Sequence, residues 1–383
     1  MSTGKFILFS LLSIILPLTG LVLLFEITLR FLPVQSATAQ TDVSDEQPIA
    51  RFQPDNDVTF SIGWNFKRVV KHQINNDGFA NQQDYFTNAK PTVAVIGDSY
   101  VEAFQVPFEK SFHGLLQKEL ADSCNVYSFG ISGAPLSQYI AWAQYARQQY
   151  QPSSYVFNII SNDFDESFKP YSRRQGYWLY DQAPDGKLTH VLEPKSAPPL
   201  KKIVRHSALA RYLFANVQIL DRTRELFNGL NKEQTTPVRY VSNRRADFTP
   251  EEMAISKQIV DQFLDDVLSA TGLPPESIVF SVDGIRQAVY GDISWDEAMQ
   301  SYVWIIKQYF IARAQQRGFT TIDMNKAFTE DFRKNHQRFE FPYDWHWNEY
   351  GHAVVFREIS KLDWSRCSKP HTLTAVDKSV LPD

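Results

Sequence analysis

The chain has 383 residues, with 39 Lys and Arg against 43 Asp and Glu, a formal net charge of −4 and 14% aromatic side chains. At roughly 150 residues per domain, this length gives one large or two small domains. The weakly acidic balance offers no basic footprint for nucleic acid, and Trp and Tyr, which line sugar sites, also fill ordinary cores.

Phe6 to Phe25 is an uncharged run of 20 residues, long enough to cross a bilayer as a helix. Lys5 precedes it and Glu26 and Arg30 follow, so the charge asymmetry that sets orientation is weak. Ala37-Thr38-Ala39 supplies a competing reading, a cleaved signal peptide. The apolar run, however, exceeds the roughly 7–15 residues of a leader's core, and Ala39 lies 14 residues beyond its end. The expectation is therefore an uncleaved single-pass anchor over 1–30, with the body outside the cytoplasm. Residues 31–55 are polar, Pro-containing and aperiodic, and read as a linker. A folded domain is expected over 56–369 and a tail over 370–383.

The first strand of the domain's main sheet is Thr92 to Ile96, a β-branched and apolar run with the character of a buried parallel strand. Gly97 ends it, and Asp98-Ser99 sits where a helix begins; apolar spacing extends that helix over 107–120. Ser99 then stands at the carboxyl edge of a sheet, where open α/β folds place their ligands. A serine there can serve as a nucleophile, or simply as a helix cap, as can Asp98. Val126–Phe129 is a second strand leading into Gly130-Ile131-Ser132-Gly133, where glycines suit unusual backbone angles or a close approach to a ligand. A helix over 137–149 follows, then a strand over 155–160 that runs into Ser161-Asn162-Asp163. Three successive strands thus lead into Ser99, Gly133 and Asn162.

Residues 164–249 interrupt the alternation and read as an insertion over the carboxyl edge, with a basic pair at Lys201-Lys202 and an amphipathic helix near 205–229. Thr249, Pro250 and Glu251-Glu252 open a helix running to about 271. Strands over 277–282 and 320–323 flank a helix over 295–317. Parallel strands need helical crossovers, so the order predicts a three-layer α/β/α sandwich around a mainly parallel five-stranded sheet.

Near the end stands Asp344-Trp345-His346, before a helix running to about 362. Two residues apart in an extended loop, both side chains can point the same way. Asp344 can orient the His346 imidazole while His346 takes the Ser99 proton, the division of labour of a serine hydrolase triad. Asp344, His346 and His352 also make a sparse set of metal ligands, with no further His/Cys cluster beside them. Asp163, Asp165 and Glu166 read as loop charges, because glycosidase chemistry needs a second carboxylate partner.

Ser99 in Gly97-Asp98-Ser99, Gly133, Asn162 and His346 resemble, in order and local context, the four blocks of the SGNH/GDSL hydrolase superfamily over residues 70–362. Asn75 to Phe79 is similar to its bacterial membrane-anchored members. The resemblance implies a flavodoxin-like fold, Ser99 as nucleophile, His346 as base and Asp344 as its partner. It also implies an oxyanion hole built from the N–H groups of Ser99 and Gly133 and the Asn162 side chain, with no cofactor. Two positions depart from the pattern: Ile160 replaces the usual Gly of the third block, and the last block is Asp-x-His rather than Asp-x-x-His. The Asp-x-His form resembles carbohydrate O-acetyltransferases, including alginate O-acetylation proteins.

The expected function is a membrane-anchored, periplasmic serine esterase removing short acyl groups, acetyl foremost, from a carbohydrate. Its alternatives are an O-acyltransferase acting on an envelope or exported polysaccharide, and a non-catalytic polysaccharide-assembly protein with a degenerate site. The expected partners are the glycan or acyl ester, the membrane and polysaccharide-biosynthesis or acyl-donor membrane proteins. In an oxidising compartment Cys124 and Cys367, the only two cysteines, are candidates for one disulfide. Such a bond is expected to hold the His346 loop against Ser99.

Overall fold

The computed structural model describes residues 3–368, apart from 42, 45–47, 88–89, 173, 196–204, 221 and 224–237. The chain forms two compact units, one of Met1–Ala39, Asp57–His72 and Ala197–Thr236, the other of Gln40–Asn56, Gln73–Ser196 and Pro237–Asp383.

In the first unit Thr3–Leu29 is one helix with Pro17 inside it. Apolar side chains along it, Phe6, Ile14 and Leu16 among them, are exposed, while Leu29 at its end is buried. At 1.5 Å per residue it is about 40 Å long, enough to cross a hydrocarbon layer. The helix expected near 205–229 is interrupted: a single turn, Ala208–Arg211, runs into a π-helical stretch at Tyr212–Asn216, and helix resumes at 219–220 and 222–223. Between them Gln218 adopts φ +55°, a left-handed conformation that breaks regular helix. Glu26 takes part in capping that turn, accepting from the Ser207 hydroxyl (2.7 Å) and the N–H groups of Ala208 (3.0 Å) and Leu209 (2.9 Å). Lys201-Lys202, residues 224–229 and the tail from 369 lie outside the described residues. Most of a two-stranded sheet, β1 (Asn56–Ile62) and β2 (Arg68–Ile74), belongs to this unit.

The second unit contains the expected parallel sheet. Its strands are β3 (Thr92–Gly97), β4 (Asn125–Gly130), β5 (Ser154–Ile159), β10 (Ile278–Val282) and β11 (Thr320–Asp323), in spatial order β11-β10-β5-β3-β4. Every neighbouring pair is parallel, with Val95 level with both Ser128 and Val156. β3, β4, β5 and β10 are buried along their whole length, which is why their sequences read as continuous apolar runs. Alternate side chains serve two layers. Val93, Val95 and Val126 pack with Phe112, Leu116, Phe328, Val354 and Val355. On the other face Phe157 and Phe280 meet Phe263 and Phe310 at ring separations between 5.1 and 6.2 Å.

Three expectations need correction here. Gln40–Asn56 is not a free linker: Ile49, Ala50 and Phe52 are buried, and the indole N–H groups of Trp142 and Trp178 donate to the carbonyls of Ala50 (2.8 Å) and Pro48 (2.6 Å). The helix expected over 107–120 is a 3-10 turn at Phe108–Lys110 followed by Phe112–Glu119, because the Ser111 hydroxyl caps a new start by accepting from Gly114 N–H. Likewise the helix over 295–317 breaks into Trp295–Met299 and Tyr302–Gln316, with Ser301 as the second cap. The helix opened by Thr249 runs over Pro250–Thr271 with a complete capping box to Glu252. Residues 164–249 divide: the hairpins β6 (Tyr177–Gln182) with β7 (Leu188–Glu193), and β8 (Tyr240–Val241) with β9 (Arg244–Arg245), belong to this unit, while the described residues 205–220 and 222–223 belong to the first unit.

Candidate active site

The site begins where β3 ends. A Cβ on Gly97 would stand 2.5 Å from Val101 Cγ2, so only glycine fits beneath the turn. Asp98 caps the one-turn helix Ser99–Glu102, its carboxylate accepting from Tyr100 N–H at 3.0 Å, and Ala103 ends the turn at φ +51°. The Ser99 hydroxyl donates to Asp98 Oδ2 at 3.2 Å rather than to an imidazole. Burial pushes the Asp98 carboxyl up to about 6, against the hydrogen bonds it accepts from Tyr100 and Ser99 and the charge of His346.

Asp344 and His346 lie on β13 (Asp344–Trp347), paired antiparallel with β12 (Glu340–Phe341). Extended backbone turns alternate side chains to one face, and Asp344 Oδ1 accepts both the His346 N–H (3.1 Å) and the His346 Nδ1 proton. With Nδ1 carrying that proton, Nε2 keeps its lone pair free to accept another. Burial opposes the imidazolium, but the Asp344 hydrogen bond and charge, with Asp98 and Glu102 further off, raise His346 above its ordinary value. Burial likewise opposes the Asp344 carboxylate, yet His346 and a Gln105 hydrogen bond hold it below the usual range. The His346 and Tyr100 rings are 5.0 Å apart, which brings the imidazole to the Ser99 helix. Catalytic hydrogen bonds of ligand-free enzymes are commonly long and tighten with substrate.

Two groups lock this strand that sequence reading missed. Arg286, 6% exposed, donates through one nitrogen to the Tyr100 hydroxyl and the Trp345 carbonyl, both at 2.8 Å, and through another to Glu340 at 3.1 Å. Trp347 Nε1–H donates to Asp283 at 3.2 Å. Asp283 follows β10 directly, and its place at that strand's end was the only signal available.

The ends of β4 and β5 supply the remaining expected groups. Gly133 adopts φ +78°, a left-handed conformation suited to glycine, and its N–H has no acceptor among the described residues. The preceding residue, Ser132, is fixed by the buried Glu102 carboxylate, which accepts its N–H and its hydroxyl. Burial pushes Glu102 up to about 7 despite these two bonds. Asn162 is oriented from both ends: its Oδ1 accepts from Asn243 Nδ2 at 2.7 Å and its Nδ2 donates to Glu166 at 3.2 Å. Ile160 is buried, and its N–H donates to Asp163 at 2.7 Å.

The acidic trio is more than loop charge. Asp163 is buried, accepts from the Tyr139 hydroxyl at 3.1 Å, and is raised well above the carboxylate range by burial and then by Asp98. Asp165 pairs with Arg244 and Glu166 with Arg174. His352 is buried, its Nδ1 accepting from Phe112 N–H at 3.3 Å. Among the described residues no group of three or more His, Cys, Asp or Glu side chains is placed to share a metal ion. Cys124 and Cys367 form a disulfide with Cα atoms 5.2 Å apart. It lies at the amino-terminal edge of β4, opposite the site, so it does not hold the His346 loop against Ser99.

A serine at the carboxyl edge of a parallel sheet, beside an Asp–His pair, is the layout of a serine hydrolase on an α/β/α fold. The chain belongs to the GDSL-like lipase/acylhydrolase family, whose model matches residues 93–359. Members of that family are ester-hydrolysing enzymes, and this chain is one of them. Among solved structures it is similar to a G-D-S-L family lipolytic protein from Veillonella parvula, at 10% identity and TM-score 0.37, over 71% of this chain and 97% of that one. It is also similar to a lipase/acylhydrolase from Enterococcus faecalis (11%, TM-score 0.35, 70% and 95%) and to an acetyl xylan esterase (11%, TM-score 0.38, 71% and 100%). No curated protein sequence matches the chain.

Proposed function

We propose that the chain is a membrane-anchored, extracytoplasmic esterase that removes short acyl groups, acetyl foremost, from a carbohydrate. The observation that carries the chemistry is the bond between Asp344 and His346 Nδ1, which leaves Nε2 as a base beside the Ser99 helix. In the first step Ser99 Oγ attacks the ester carbonyl carbon as His346 Nε2 takes its proton. The oxyanion faces the N–H groups of Ser99 and Gly133 and the Asn162 amide. Collapse breaks the bond to the sugar oxygen, which leaves with the proton from His346. Water, deprotonated by the same nitrogen, then attacks the acyl-enzyme and releases the acid and free Ser99.

The helix Thr3–Leu29, with its outward apolar side chains, supports the anchor, and the cross-linked cysteines favour an oxidising compartment. The Asp344-x-His346 spacing favours a second reading, in which a sugar hydroxyl replaces water in the last step. The full-length protein in detergent, given p-nitrophenyl acetate and acetylated oligosaccharides with and without free acceptor sugar, tests both. Free acetate in excess supports the esterase, and acetylated acceptor in excess supports the transferase. No product from any donor overturns both.

A further inference from the structure

Gly133 and Asn162, two of the proposed oxyanion donors, share a neighbour that the mechanism has not used. Glu166 Oε2 accepts from Asn162 Nδ2 at 3.2 Å and also from Nε and Nη2 of Arg174, both at 3.3 Å. The carboxylate thus grips one edge of the guanidinium and leaves Nη1 outside the pair. Nη1 makes no hydrogen bond among the described residues, although each guanidinium nitrogen of arginine is a donor.

That free nitrogen lies against Gly133. A Cβ there would come within 2.6 Å of both Cζ and Nη1 of Arg174, so the guanidinium occupies the space that any other side chain would fill. Gly133 is suited to its place twice over, by φ +78° and by this contact. On the same loop the Ser132 carbonyl accepts from the Tyr177 hydroxyl at 3.1 Å. Burial is the main cause that raises Tyr177; Glu102 and Asp98 add to it and Arg174 opposes it. The guanidinium therefore acts in the same neighbourhood as the carboxylates of the Ser99 turn. The Arg174 side chain is 43% exposed and lines a cavity of about 730 Å³, so a substrate can reach Nη1.

We propose that Arg174 is a further catalytic residue, whose Nη1–H donates to the ester oxygen that becomes negative when Ser99 Oγ bonds to the carbonyl carbon. The carbonyl electron pair moves onto that oxygen and His346 takes the serine proton. Arg174 transfers no proton and meets the new charge beside the Gly133 N–H and the Asn162 amide. The proposal rests on the serine-esterase mechanism given above. Glu166 offsets much of the guanidinium's charge, so the contribution is that of a directed, charge-assisted hydrogen bond. Such a bond strengthens as the oxygen gains charge, and its loss falls on kcat more than on KM.

The full-length protein in detergent is assayed on p-nitrophenyl acetate and treated with a trifluoromethyl ketone carrying a ¹³C carbonyl, whose adduct with Ser99 bears the same oxygen. Arg174→Gln is expected to lower kcat about ten- to a hundred-fold with KM little changed. It is also expected to make the adduct's hydroxyl about ten-fold or more less acidic, read from the ¹³C shift across pH. A residue acting only by holding Glu166 against Asn162 loses its effect once that amide is gone, whereas a donor in its own right keeps it. Arg174→Gln is therefore expected to lower kcat by a similar factor in the Asn162→Ala background, with thermal unfolding unchanged at this half-exposed position. Adduct acidity unmoved by Arg174→Gln, or a loss of kcat that vanishes in the Asn162→Ala background, overturns the proposal and leaves the esterase mechanism standing. A wild-type protein that neither turns over ester nor forms the adduct overturns that mechanism and the proposal with it.

Discussion

Glu102 accepts the backbone N–H of Ser132 at 2.6 Å and the hydroxyl of the same residue at 2.7 Å. One buried carboxylate on the Ser99 helix thus fixes the residue before Gly133, tying the Ser99 turn to the loop after β4. Glu102→Ala strands both donors, with an expected cost of about 1–3 kcal/mol in stability and a lower kcat as Gly133 loosens. Its pH dependence has a definite sign. The Glu102 carboxyl is raised from 4.5 to about 7, so the folded protein holds that proton more tightly than the unfolded chain. Its contribution to stability is fully present below pH 4.5 and is lost as pH rises through about 7. Denaturant unfolding across that window is expected to show the decline in wild type and to lack it in Glu102→Gln.

Ser99→Ala is expected to abolish ester turnover and labelling by a serine-directed phosphonate, read by intact-protein mass. Labelling that persists in the Ala variant removes Ser99 from the mechanism.

Asn162→Ala removes one of the proposed oxyanion donors, and the loss of such a donor typically lowers kcat about 10²–10³-fold. Asn243→Ala leaves the amide in place but releases its Oδ1 from the 2.7 Å bond that orients it, so a smaller fall in kcat is expected with KM for p-nitrophenyl acetate unchanged. Steady-state kinetics on the purified variants check both. Asn162→Ala activity within a few-fold of wild type would mean that Ile160 marks a third block that no longer serves the oxyanion.

These residues divide by what a linear sequence can carry. β3, β4, β5 and β10 were legible because burial on both faces writes a continuous apolar run, and Ser99, Gly133 and Asn162 were legible because each directly follows such a run. Asp344 and His346 were legible because their bond is local. Glu102 reads as an ordinary helix position, and its role appears only when β4 brings Ser132 alongside. Arg286 reaches across 59 positions to Trp345 and 186 to Tyr100, and no period records such a contact. The breaks at Ser111 and Ser301 were missed because apolar spacing continues through them while one hydroxyl starts a new helix.

In the proposed mechanism His346 must be neutral to accept the Ser99 proton, and Asp344 raises its value above 6.5. The acid limb of kcat/KM is therefore expected above pH 6.5, with activity falling as pH drops through it. Asp344→Asn removes the stabilising anion, so the limb moves to lower pH while the plateau falls as the imidazole loses its orientation. Arg286→Lys keeps the charge facing Glu340 but cannot reproduce the fork that holds Tyr100 and Trp345. It is expected to lower kcat and to shift the same limb, because the Asp344–His346 strand is less well held. A pH–rate profile for the three proteins decides this; a limb unmoved in Arg286→Lys would make Arg286 a support of the fold alone.

The disulfide acts at the far edge of the sheet. Cys124 immediately precedes β4, and Cys367 follows the helix Glu349–Ser360 that leads the chain away from His346. Both sulfurs are buried in the cluster that holds Leu120, Val126, Ile359 and Trp364, so the bond joins the end of the fold to its first crossover. It spans 243 positions, and closing a loop of that length in the unfolded chain stabilises the native state by at most about 5 kcal/mol in the chain-entropy account. Because the site lies at the opposite ends of the strands, the effect is expected on unfolding and not on chemistry. Cys124→Ser with Cys367→Ser is expected to lower the unfolding midpoint markedly while kcat for p-nitrophenyl acetate at 25 °C stays within two-fold of wild type. Thiol alkylation of the unreduced protein in its native membrane is expected to label neither cysteine. Labelling of both would remove the bridge and, with it, the support the cysteines give to an extracytoplasmic body.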